Sequence, residues 1–196
     1  ESLVAGLRFA RRDPTISVLM AMAGLGSFLA FPLVTYLPVV ADSALGSGAA
    51  GYSLLLSSFG AGAILGAVAT AQRGDRPGRG RLLLWSLICL GVAAIGALLS
   101  RAQLASMALL FVAGASLVAA FSTLNSLVQE QAPSELRGRV VSIYGLAFRG
   151  GGPLGSLVAG FLVSAFGAVA VLSAFAALLT LVAAAVRLRG GRVPRL

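Results

Sequence analysis

The side chains able to do chemistry are few, and their spacing points away from catalysis. The carboxylates Glu1, Asp13, Asp42, Asp75, Glu130 and Glu135 all lie at or near the ends of apolar segments, and no two are placed as an acid–base dyad inside one. Histidine is absent and Cys89 is the only cysteine, which leaves no donor set for zinc, haem or an iron–sulfur cluster and no internal disulfide. No nucleophile motif and no glycine-rich phosphate loop occurs. The sequence therefore reads as that of a protein that is not an enzyme and carries neither cofactor nor metal.

What remains is recognition chemistry. Arg149 lies about ten residues into an apolar segment, roughly 15 Å from its nearer basic end. A guanidinium at that depth is costly, so it either faces a cavity, an acidic partner or an anionic substrate group, or it snorkels to helix-end carbonyls. Ser122, Asn125, Ser126 and Gln129 recur at i, i+3, i+4 and i+7 and form one polar helix face. Such a face must meet protein or water, either lining a path or hydrogen-bonding another helix. Tyr36, Thr35 and Ser27, with Phe28 and Phe31, make a looser surface suited to a bulky amphipathic ligand, although aromatics in such segments also simply pack or face lipid.

The elements that must hold these residues are six apolar segments: 16–40, 52–71, 82–99, 104–128, 140–165 and 169–186. Each has 18 to 26 residues, about 27 to 39 Å as a helix, enough to cross a ~30 Å hydrocarbon core. A chain that is 58% hydrophobic and 11% charged has too little polar surface for a soluble globule. Lysine is absent, so all 15 cations are arginines, and every one except Arg101 and Arg149 lies before the first segment, in every second gap or after the last. The positive-inside rule then places both termini and the arginine-rich loops in the cytoplasm. The same topology accounts for the net charge of +9, and no nucleic-acid partner is expected, because no basic stripe interleaves with aromatics. The fold class is an all-α membrane protein, a six-transmembrane-helix bundle whose first partner is the lipid bilayer.

The connections are too short to hold a soluble domain. Pro32 and Pro38 should kink or end the first span near its outer face. The opening ESLVAGLRFARRDP is amphipathic and basic without the layout of a signal peptide, so it reads as a surface helix leading into the first span and as the later part of a longer polypeptide.

An internal repeat is visible at an offset of 89 residues. Phe59, Gly62, Leu65 and Gly66 match Phe148, Gly151, Leu154 and Gly155. Copies three spans apart run in opposite directions, which gives a 3+3 inverted repeat. The small-residue stripes Ser58–Gly62–Gly66–Thr70 and Gly152–Ser156–Gly160–Ser164, the latter beside Gly151 and Gly155, let helix backbones approach closely. They serve either packing within the bundle or an interface with another bundle, for which Gly62, Gly66, Gly151 and Gly155 are the candidates. The third and sixth spans lack dense stripes and are expected to face lipid.

The loop RGDRPGRGRL (73–82) carries Asp75, Arg76, Gly78, Arg79 and Arg81. It resembles the cytoplasmic loop motif of the major facilitator superfamily, found between helices 2 and 3 and in weaker form between helices 8 and 9; the glycine that family places four residues before the acid is Ala71 here. A second stretch, QEQAPSELRGRVVSIYGLAFRGGGPLGSLVAG (129–160), is similar to the helix 10–11 loop and helix 11 of the exporter branch that includes siderophore and macrolide exporters. LRFARRDP is similar to that branch's lead-in to helix 7.

The resemblance covers nearly the whole chain. It implies helices 7–12, the C-terminal half of a twelve-helix transporter in the bacterial cytoplasmic (inner) membrane. Residues 1–15 would be the central-loop remnant, 16–186 the six-helix bundle and 187–196 a cytoplasmic tail. The partners it implies are an N-terminal six-helix half, a small amphipathic substrate such as a drug or siderophore-like molecule, and a proton as coupling ion. Transport would be by alternating access, with Asp75 and the neighbouring arginines gating the conformational change without touching substrate. The candidate cavity residues are Arg149, Asn125, Ser122, Gln129, Tyr36 and Phe31; the family segment is more often apolar at the position of Arg149. Two other readings stay open: a complete six-helix permease subunit, and a non-transporting membrane scaffold.

Overall fold

The computed structural model describes residues 8–43, 48–74, 77–189, 193 and 196. Asp13 starts the first long helix. Its carboxylate accepts the backbone N–H groups of Thr15 (2.8 Å) and Ile16 (2.9 Å), and Pro14 takes the first helical position, so α1 (Pro14–Thr35) begins capped. Pro38 has no N–H for the carbonyl of Val34. α1 accordingly ends at Thr35, and after Tyr36 the chain continues as the short α2 (Leu37–Ser43). The break falls where the two prolines predict it.

α3 (Gly48–Arg73), α4 (Arg79–Leu99), α5 (Gln103–Gln131), α6 (Arg137–Phe166) and α7 (Ala168–Leu188) follow. Among the described residues, α1 and α3 to α7 are the six helices long and apolar enough to cross a membrane, and all regular structure is helical. Gly78 (φ +89°) and Gly167 (φ +82°) sit in left-handed conformations at the entries to α4 and α7, where a Cβ would be strained. The chain before α1 is helical at 8–12, with Ala10 buried and Arg11 and Arg12 exposed. At the other end α7 takes in Arg187 and Leu188, and Val193 folds back to be buried against Gly80 of α4.

The long helices pair in a pattern that the inverted repeat dictates. α3 packs along α5 and α6 packs along α1, two pairings that interchange when the first three spans are exchanged for the last three. The glycines match as well. A Cβ on Gly62 or Gly66 would overlap the carbonyl oxygens of Phe111 and Ala115, and one on Gly151 or Gly155 would overlap those of Gly24 and Phe28. The first pair of glycines precedes the second by 89 residues, and their partners are related by an offset of 87. Ser58 extends the first stripe by donating its hydroxyl to Met107 O at 2.7 Å. Pro32 leaves Phe28 O without its i+4 donor, and this is the carbonyl against which Gly155 lies.

These contacts correct two expectations. Gly62, Gly66, Gly151 and Gly155 seat helices of this bundle on one another and do not present a face to a second bundle; their missing side chains are filled by backbone from α5 and α1. The third span, α4, is also as deeply packed as α1, because Leu83, Leu84, Leu87 and Leu90 are buried and Gly91 admits Thr180 and Ala176 of α7. Only its opposite face, with Trp85, Val92 and Leu99, is exposed. The most open helices are α3 and α6, which expose Ile64, Leu65 and Val68, and Leu146, Leu154 and Leu157.

Candidate transport cleft

α1, α5 and α6 enclose an open cleft of about 940 Å³. α6 brings Tyr144, Phe148 and Arg149 to it, α5 brings Phe121, Ser122 and Asn125, and α1 brings Phe31. Tyr144 and Phe148 are one turn apart and stack with ring centroids 5.9 Å apart and an interplanar angle of 4°. Phe148 then meets Phe121 at 4.8 Å and Phe31 at 5.6 Å, and Phe31 meets Phe121 at 6.2 Å, within the range of favourable ring pairs. Gly152 makes room for the Phe31 ring, and Gly26 lies against that of Phe121. Four aromatic side chains from three helices thus form one ridge.

A second groove of about 400 Å³ continues toward the α1–α2 break, lined by Thr35, Gly152, Pro153 and Ser156. Phe31, Phe148 and Arg149 line both cavities. Arg149 stands twelve residues into α6, about 18 Å from its start at Arg137. It is exposed and, among the described residues, has neither a hydrogen-bond nor an ion-pair partner. Its own carbonyl lacks an i+4 donor because residue 153 is proline. No carboxylate lines either cavity among the described residues: Asp13 caps α1, and Glu130 pairs with Arg79.

The polar stripe of α5 is divided by the fold. Ser122 and Asn125 line the cleft. Ser126 turns to a smaller cavity of about 240 Å³ with Thr70, Arg73 and Arg79, which Ser122 also borders. Gln129 lies outside the cleft and donates from Nε2 to Asn125 Oδ1 at 3.2 Å, one turn away. Tyr36 is likewise not a cleft residue. Its hydroxyl donates to Ser156 O at 2.9 Å and occupies the space that Gly160 leaves, so it fastens α1 to α6, helped by a 3.1 Å contact between the Thr35 and Ser156 hydroxyls. Neither Gln129 nor Tyr36 is thus among the residues that line the two cavities, although the residue each one bonds is.

Of the loop motif, Asp75 and Arg76 lie outside the described residues. Gly78, Arg79 and Arg81 form the entry to α4, and Arg79 forms an ion pair with Glu130 near the end of α5. Glu130 is half-exposed, so the pair contributes no more than ~1 kcal/mol to stability. Neutralising either partner (Arg79→Gln or Glu130→Gln) is expected to leave the melting temperature nearly unchanged while slowing turnover, with the double variant no worse than either single one. Additive losses in the cycle would show that the two residues act separately.

Sequence reasoning missed the wall contributed by Phe121, Tyr144 and Phe148. The signal was the i, i+4 spacing of Tyr144 and Phe148 beside Arg149. It also missed Arg187, whose guanidinium carbon sits 3.9 Å over the Trp85 ring and ties the end of α7 to α4.

Residues 1–194 match the major-facilitator family described as Transmembrane secretion effector. The chain belongs to this family. None of the curated proteins matches it. As a member of this family it is a multi-pass membrane protein of a transporter family, and its six apolar helices and the lack of strands among the described residues agree with that membership. The cleft on α1, α5 and α6 is then the feature in which cargo recognition is to be sought.

Proposed function

We propose that this chain is the C-terminal six-helix half of a secondary active exporter of a small amphipathic molecule, akin to the siderophore and macrolide exporters. The observation that carries this reading is the open cleft, whose one flank joins rings, hydroxyls and a single cation. In a two-bundle transporter such a flank is half of a central cavity, and one bundle rocks against the other around it. The exposed apolar side chains of α3 and α6 suit the apposition of an N-terminal half. Both termini face the cytoplasm of a bacterial cell, because the arginine-rich end of the bundle is the cytoplasmic one. Proton coupling follows from the resemblance, and with no carboxylate lining the cleft among the described residues, the proton carrier belongs to the other half.

Alternating access is tested by cysteine labelling. Ser122 and Thr35 line opposite ends of the joined cavities. With the exposed Cys89 replaced by serine, conditions that raise maleimide labelling of Ser122→Cys should lower that of Thr35→Cys. Parallel changes at both sites would exclude alternating access, and labelling insensitive to the proton gradient would favour a scaffold.

A further inference from the structure

We propose that the cleft takes an organic anion with an aromatic-sized apolar body, its acid group on Arg149 and its body on the ridge of Phe31, Phe121 and Phe148. This deepens the cargo reading of the cleft and rests on it. Three observations carry it. First, Arg149 is the one charged side chain on either cavity among the described residues, and no acid there faces it. A guanidinium does not deprotonate, so unlike a lysine it cannot escape the cost of its depth by becoming neutral. The compensating negative charge must therefore come from outside these described residues, and the open space before Arg149 gives a ligand room to supply it.

Second, the guanidinium is unoccupied by its own surroundings. It has no ion-pair or hydrogen-bond partner among the described residues, and the cation–ring contact found there belongs to Arg187 and Trp85, not to Arg149. Its five N–H donors are left to grip a carboxylate or sulfonate in fork geometry. Third, aromatic rings line the same space as the guanidinium. Phe31 and Phe148 share both cavities with Arg149, so a ligand holding the cation with one end reaches the ring faces with the other. Ser122 and Asn125 offer hydrogen bonds along the same wall. A cation of the same shape would meet unrelieved repulsion, and a neutral molecule would leave the arginine uncompensated.

The test uses two dyes that differ by one charge: 8-anilinonaphthalene-1-sulfonate and its uncharged counterpart N-phenyl-1-naphthylamine. Their radiolabelled forms are titrated onto the complete transporter in nanodiscs by scintillation proximity, with the empty-nanodisc signal subtracted. The sulfonate should bind saturably and at least tenfold more tightly than the neutral dye. Arg149→Gln should weaken the sulfonate at least tenfold and leave the neutral dye unchanged. Arg149→Lys, which keeps the charge in case the glutamine variant does not fold, should give an intermediate loss. Equal binding of both dyes, unmoved by either variant, would overturn the anionic assignment while leaving the cargo reading standing. Absence of saturable binding by both dyes would overturn the two together.

Discussion

Replacing Arg149 by leucine is expected to lower export at least tenfold while membrane insertion and thermal stability are retained. An arginine about 18 Å along α6 costs free energy wherever its charge is unmatched, so its loss removes a burden from the folded bundle and not a support. Its guanidinium has no partner among the described residues to be orphaned, so the usual penalty of breaking a buried pair is absent. Whatever the charge contributes must appear in transport. Arg149→Lys should restore only part of the activity, because an ammonium cannot reproduce the planar fork. The measurement is energised efflux alongside a melting curve of each purified variant. Normal efflux by Arg149→Leu would reduce Arg149 to a snorkelling residue with no role in transport.

A second large effect is expected at the glycine contacts, where stability and not transport is the readout. Gly66→Ala and Gly155→Ala each drive a methyl into the carbonyl of a neighbouring helix, at Ala115 and Phe28. Backbone atoms cannot rotate out of the way as a side chain can, so the helices must separate, which costs about 1–3 kcal/mol. Gly60→Ala, six residues before Gly66 on α3, meets nothing within 4 Å and should be neutral or slightly stabilising, since alanine loses less entropy in a helix. The two contacts occupy equivalent places in the two halves of the repeat, so their variants should lower the melting temperature by similar amounts. If both variants melt with Gly60→Ala, the close approach of α3 to α5 and of α6 to α1 is not what holds the bundle.

What the sequence determined by itself was the number of spans and the chemistry left over inside them. Hydropathy over about 20 residues decides insertion whatever the helices later touch, so the six apolar segments reappear as α1 and α3 to α7. Pro38 ends the first of them locally, through a missing donor, and needs no tertiary contact to do so. Arg149 likewise stood out from its apolar neighbours alone. What only the tertiary structure decided was which face of each helix meets which neighbour. In a membrane, packed and lipid-facing surfaces are both apolar, so no amphipathic stripe marks the inside. The deep packing of α4 and the intrabundle partners of Gly62 and Gly151 were therefore invisible in composition. The separation of Ser122 and Asn125 from Gln129 turns on which side of α5 faces α1 and α6, and the withdrawal of Tyr36 onto Ser156 turns on a contact between residues 120 apart in the chain. The aromatic ridge beside Arg149 exists only because α1, α5 and α6 converge, and no periodicity within one helix encodes that convergence.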